Sequence, residues 1–218
     1  MAPEKILLNL GCGTVSPKGW INCDSSLHAQ LTKVPLVHGF FRLLGIVSGS
    51  NWADNVRYIS LNKPFPWADS SVDCVYASHV LEHLRVGTAR EFIRESYRVL
   101  KPTGVIRIVV PDLYYHAKKY VEGHVSTGSA AADFLHTIHL QIPDEIPLIN
   151  KLVNLLSDYP TIHKYMYDRV TLTALFSEYG FRDIKESSYA ESHYLSNVMD
   201  VEYMSPGYEG SLYLEALK

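Results

Sequence analysis

A chain of 218 residues, 47% hydrophobic and 20% charged, holds enough apolar material for one self-sufficient core, which excludes a mostly disordered polymer. Its 20 Lys and Arg against 23 Asp and Glu leave a formal charge of −3, so there is no electrostatic case for a nucleic-acid backbone as partner. The three cysteines, Cys12, Cys23 and Cys74, lie in or beside apolar runs without the paired spacing of a secreted disulfide framework.

They are expected as small buried residues in a reducing, cytoplasmic setting. The opening "MAPEKILLNL" carries an acid at Glu4 and no small-residue cleavage pattern, which argues against a signal peptide. The most apolar long window, Val34 to Gly49, is broken by Pro35, Gly39 and Arg42 and is too short to span a bilayer. No integral membrane segment is expected, although a lid helix, or a surface that leans on lipid, would suit that window.

In chain order, "KILLNL" is a buried strand that breaks at the glycine turn "GCG", and "WINCD" is a second strand ending at Asp24. Residues from about 27 to 48 are apolar and helical in part, "VRYISL" is a third strand over 56–61, and Pro64 and Pro66 force a loop. "VDCVYAS" is a fourth buried strand. The next phrase, "TAREFIRESYRVLKPTG", predicts a helix capped by Thr88 with Glu91 three residues on, stopping at Pro102 and Gly104. "VIRIVVP" is a fifth strand. "DRVTLTALFSEYGF" is a second amphipathic helix between Asp168 and Gly180, and "FRDIKESSY" and "SLYLEALK" are the last two strands.

Strands alternating with helices imply an α/β, Rossmann-like, doubly wound sheet in one domain spanning 1–218. Ligands in such sheets bind beyond the carboxyl ends of the strands, which selects Gly11 to Gly13, Asp24, Ser60 and Leu61, Ser78 and His79, and Asp112. Two insertions, at about 27–55 and 113–165, are the candidates for a lid and for substrate recognition.

The glycine turn allows close backbone approach, and Asp24 can accept from vicinal ribose hydroxyls. A dinucleotide fingerprint is missing, because Gly11 and Gly13 are followed by Ser16 and the acid arrives too early; no P-loop lysine pattern is present either.

With "LNLGCG", "GWINCD", "SVDCVYASHVLEHL" and "SYRVLKPTG" in this order, the chain resembles the class I S-adenosylmethionine-dependent methyltransferases, in particular a small "type 11"-like group. The likeness runs through nearly the whole chain, including "MYDRVTLTALFSEYGF" and "SLYLEAL". It implies a seven-stranded sheet with the last strand antiparallel, S-adenosylmethionine as cofactor with S-adenosylhomocysteine as product, and methyl transfer. It places Gly11, Cys12 and Gly13 against the cofactor's amino-acid part, Asp24 on the ribose, Leu61 on adenine, and Ser78 with His79 facing the sulfonium and substrate. Ser60 stands where many relatives have an aspartate, and the usual helix before strand two is squeezed into "TVSPKGW". Both departures weigh on cofactor affinity and keep a non-catalytic protein of the same fold as an alternative.

If the acceptor is a hydroxyl, a histidine suits removal of its proton, with His79 the first candidate and His163 the second; His79 can equally hydrogen-bond the backbone at the strand end. Asp112 can orient the substrate or cap the next helix. Tyr114 and Tyr165, among the tyrosines after strand five, can stack on a small-molecule or carbohydrate-like acceptor, and O-methylation is the expected chemistry. His79, Glu82 and His83 also spell H-x-x-E-H, a zinc hydrolase signature. That motif belongs on a helix with a further carboxylate, for which Glu122 and Glu145 have no supporting context, so no metal is expected. His136 and His139 have helical spacing and are expected as surface or lid residues. No oligomeric state follows from the sequence.

Overall fold

A computed structural model describes residues 5–25, 55–126, 128–139, 162–196, 198–202 and 209–218. Its centre is a seven-stranded sheet: β1 (Leu7–Leu10), β2 (Ile21–Asp24), β3 (Arg57–Tyr58), β4 (Val72–Ser78), β5 (Leu100–Pro111), β6 (Arg182–Ser187) and β7 (Ser211–Leu217). The spatial order is β3-β2-β1-β4-β5-β7-β6. β3, β2, β1, β4 and β5 pair in parallel, and β7 runs antiparallel between β5 and β6. The order reverses at β1, whose neighbours are β2 and β4, and this opens a crevice at the carboxyl ends of the three strands.

The sheet is covered on both faces, so its central strands are apolar at nearly every position. Leu8, Leu10, Val75, Ala77, Ile106 and Ile108 face one side, where they meet Phe92 and Ile93 of α1 (Val86–Val99) and Leu172 and Phe176 of α4 (Arg169–Glu178). Each such side chain, taken fully out of water, contributes roughly 1.5–3 kcal/mol. The alternate positions Leu7, Cys74, Tyr76, Val105 and Val109 pack on the other side against Trp20, Tyr189, Tyr194 and Val201, the last from the short α5 (Met199–Glu202). Two further helices, α2 (Leu113–Val121) and α3 (Ala130–Thr137), follow β5.

The element order agrees with the sequence, but three boundaries differ. α1 begins at Val86 with Arg85 in the capping position and no side-chain cap, rather than at Thr88. Burial of Leu84 and Ala89 sets its start, a larger effect than the roughly 1 kcal/mol of a capping hydroxyl. It also ends at Val99, because Leu100 already belongs to β5. The third strand shrinks to Arg57–Tyr58: it is an exposed edge, and Leu61 turns away into the core.

The cap and stop of α4 are as expected. Asp168 accepts from Thr171 N at 2.7 Å, and Gly180 has φ +91° just after the helix. Cys12, Cys23 and Cys74 are buried and are not joined in disulfides. Among the described residues no helix is long and apolar enough to cross a membrane. The expected insertion at 27–55 lies outside the described residues apart from its last position, as do residues 140–161 of the second insertion, Glu145 among them.

Candidate active site

Backbone hydrogen bonds weld the turn after β1 to the end of β2. Gly11 N and Cys12 N both donate to Cys23 O, at 2.8 and 3.0 Å, and Gly13 N donates to Asp24 Oδ2 at 2.8 Å. Gly11 has φ +70°, and a Cβ there would stand 2.4 Å from Val80 Cγ2, so both backbone angle and space demand glycine. Gly13 has φ +54° and open space beside it. Burial pushes the Cys12 thiol well above its ordinary range, so it stays protonated.

No helix forms between β1 and β2; residues 11–20 are turns. In its place a pair of buried asparagines in register, Asn9 and Asn22, ties the loop down. Asn9 Nδ2 donates to Asn22 Oδ1 and Val15 O, both at 3.0 Å, while Asn22 Nδ2 donates to Pro17 O at 3.0 Å and Trp20 O at 3.2 Å. This clamp was missed in the sequence, where the signal was an asparagine inside each of two apolar strands.

Ser60 Oγ accepts from Asn62 N at 3.3 Å, and Leu61 is buried in the core beside the end of β3. Ser78 ends β4, and His79 follows in the left-handed region at φ +54°, its amide bound to Val109 O at 2.9 Å. A non-glycine residue held there is strained, and such strain gathers at functional sites.

His79 borders a cavity of about 520 Å³ at the carboxyl end of β4 and β5. His83, His116, His136, His139 and His163 line it as well, with Glu82, Glu209 and Ser211. Five separate segments supply these groups. Glu82 and His83 lie on a single 3₁₀ turn, Leu81–His83. His116 sits on α2, and His136 and His139 lie at the end of α3, with His139 also left-handed at φ +51°. His163 is docked by the amides of Lys164 and Tyr165, which donate to Glu82 O at 2.7 and 3.2 Å. Burial first, and then three histidine neighbours, holds the His163 imidazole down to about 4, against the pull of Glu82. Burial likewise lowers His116.

A carboxylate only accepts, so the 3.1 Å contact between His79 Nδ1 and Glu82 Oε1 puts the ring hydrogen on Nδ1. His79 Nε2, 3.4 Å from Ser211 Oγ, is then the acceptor on the cavity side.

The H-x-x-E-H pattern is not built as a helical pair, because His79 precedes a 3₁₀ turn and engages Glu82. Glu122 is exposed near Lys118 and His124, away from the cavity. Asp112 caps α2, accepting from Tyr114 N at 3.0 Å, and burial raises its carboxyl. Tyr114 is exposed on α2. Tyr165 packs edge-on against Tyr167 and borders a separate depression. His136 and His139 are exposed, as expected of surface or lid residues, and they also border the cavity.

Residues 8–108 match the family model described as a methyltransferase domain. That stretch, a little under half of the chain, is therefore similar to methyltransferase domains. The fold of the chain is similar to a SAM-dependent methyltransferase from Archaeoglobus fulgidus, at 16% identity and TM-score 0.52, over 99% of this chain and 87% of that one. A second SAM-dependent methyltransferase, from Methanosarcina mazei, matches at 15% identity and TM-score 0.52 over 100% and 94% of the two chains. In this chain the glycine turn, Asp24 and His79 occupy the ends of three adjacent strands, β1, β2 and β4.

Proposed function

We propose that the protein is an S-adenosylmethionine-dependent methyltransferase acting on a hydroxyl oxygen of a small-molecule or carbohydrate-like acceptor. The observation that carries the reading is the convergence of Gly11–Gly13, Asp24 and His79 at the switch in strand order, within a stretch similar to methyltransferase domains. The residues fit the cofactor: the turn needs glycine, Gly13 borders open space, and the Asp24 carboxylate is fixed by Gly13 N at the end of β2. When bound, S-adenosylmethionine supplies an activated methyl group on a sulfonium.

The chain's own residues then align, shield and deprotonate. The turn and Asp24 hold the cofactor, while the cavity beyond β4 and β5 takes the acceptor and limits water. His79 Nε2 receives the acceptor proton, with Glu82 orienting the ring and stabilising the imidazolium that results. A cavity lined by imidazoles and carboxylates suits a polar, hydroxyl-bearing acceptor better than an apolar one.

Calorimetric titration with S-adenosylhomocysteine tests the cofactor half of the reading, with saturable binding at about one per chain expected. A screen of hydroxylated acceptors with labelled S-adenosylmethionine tests the transfer. Binding without transfer to any acceptor class would favour the non-catalytic alternative. No binding at millimolar ligand would overturn the cofactor assignment.

A further inference from the structure

The histidine-lined cavity brings three potential metal-ligating side chains together. One ligand atom from each of Glu82, His83 and His163 lies within 4.8 Å of the other two. Glu82 is fully buried and His163 is 6% exposed. Glu82 Oε2 and His163 Nδ1 are both buried without a hydrogen-bond partner among the described residues. Two orphaned polar atoms, one a carboxylate oxygen and the other an imidazole nitrogen, in one small group call for a bound partner. A bridging water would satisfy these two through its hydrogens, whereas a cation with affinity for nitrogen also engages the third converging ligand atom, from His83; a hard alkaline-earth ion prefers an all-oxygen shell.

We propose that Glu82, His83 and His163 bind a divalent transition-metal ion, with zinc the best match to the ligand set. Two imidazoles and one carboxylate leave a fourth position open, as catalytic zinc sites do. Ligands about 2.1 Å from a tetrahedral ion stand about 3.4 Å apart, so closing from 4.8 Å takes small side-chain rotations. The second Glu82 oxygen is engaged by His79 Nδ1, the outer contact that orients a ligating carboxylate. The set is not the H-x-x-E-H pairing of the two motif histidines: His163 comes from a distant segment, and His79 supports Glu82. The fourth position faces the cavity, where His139, whose ring lies 4.9 Å from that of His163, or an oxygen of a small molecule can fill it.

The site is tested without reference to methyl transfer. The full-length protein, freed of metal with a chelator, is titrated with Zn²⁺ against a chromogenic competitor, and its Co²⁺ absorption spectrum is recorded. Expected are one Zn²⁺ per chain, a tetrahedral or five-coordinate Co²⁺ spectrum, and a thermal midpoint raised by zinc. Glu82→Gln and His163→Gln should each weaken binding by about tenfold or more, while His124→Gln, at an exposed histidine outside the cavity, should leave it unchanged. Circular dichroism establishes that each variant is folded. If His163→Gln does not fold, the near-isosteric Glu82→Gln and the wild-type cobalt spectrum decide. Absence of stoichiometric zinc in the wild type, or zinc bound equally by wild type and Glu82→Gln, would overturn the site. Zinc binding without S-adenosylhomocysteine binding would support this site while removing the cofactor reading.

Discussion

His79 and Glu82 form a histidine–carboxylate pair, Nδ1 to Oε1 at 3.1 Å, with His79 in a left-handed backbone conformation that aims its other ring nitrogen towards Ser211. If His79 takes the acceptor proton, removing its imidazole should cut turnover by about a hundredfold or more and leave S-adenosylhomocysteine affinity nearly unchanged. His79→Asn is the informative variant, because asparagine tolerates the φ of +54° better than alanine. Parallel loss of turnover and cofactor affinity would show that the residue only shapes the end of β4.

The glycine turn makes a separate prediction about binding. Asp24→Asn keeps an oxygen for Gly13 N but removes the negative charge offered to a ribose, so S-adenosylhomocysteine should bind about 1–3 kcal/mol more weakly with the fold intact. Gly11→Ala should be worse, because the new methyl would meet Val80 Cγ2 at 2.4 Å on a backbone held at φ +70°. Calorimetry on both variants decides: unchanged affinity in Asp24→Asn would sink the ribose assignment.

The strand ends that frame the proposed cofactor site were legible in the sequence and the histidine cavity was not, for a physical reason. β1, β2 and β4 are short apolar runs whose ends are marked by glycine, Asp24 and Ser78, so strand order alone nominates their neighbours. The cavity draws His79 and His83, His116, His136 with His139, and His163 from segments related only by tertiary contacts such as Lys164 N to Glu82 O. Helical spacing put His136 and His139 at the surface, where they lie, without showing that they border the cavity, and nothing local in "HKYMYD" shows that His163 meets Glu82. Thr88 misled for a similar reason: a good capping residue loses to the burial that starts α1 three residues earlier, with Arg85 in the capping position.

Arg107, in the middle of β5, was hidden in an apolar run and proves fully buried. Its Nε donates to Glu202 at 2.7 Å, Nη1 to Glu215 at 2.8 Å and Nη2 to Ser188 O at 2.9 Å. The two glutamates in turn accept from the amides of Ala190 and His193, so the network holds the segment over the sheet face opposite α1. Arg107→Met would leave two buried carboxylates without their cation and should destabilise the protein by about 3–5 kcal/mol in urea denaturation. A loss under about 1 kcal/mol would mean that the segment is held by apolar packing alone.

Acid stability should carry the signature of Glu95. Its hydrogen bonds with Arg98 hold its carboxyl below the ordinary carboxylate range, and Phe65 N, donating at 2.9 Å, acts in the same direction against the effect of burial. Arg98 also donates to Phe65 O and Trp67 O, so the pair pins the loop that leads into β4. Because the folded value is depressed, the stabilisation is fully present above the unfolded value of about 4.3 and is lost as pH falls through the lower folded value. Glu95→Gln should therefore lower the urea midpoint near pH 7 and flatten its decline below about pH 4.3. Measured from about pH 7 to 3, superimposable slopes for wild type and variant would show that Glu95 is not among the groups whose protonation unfolds the chain.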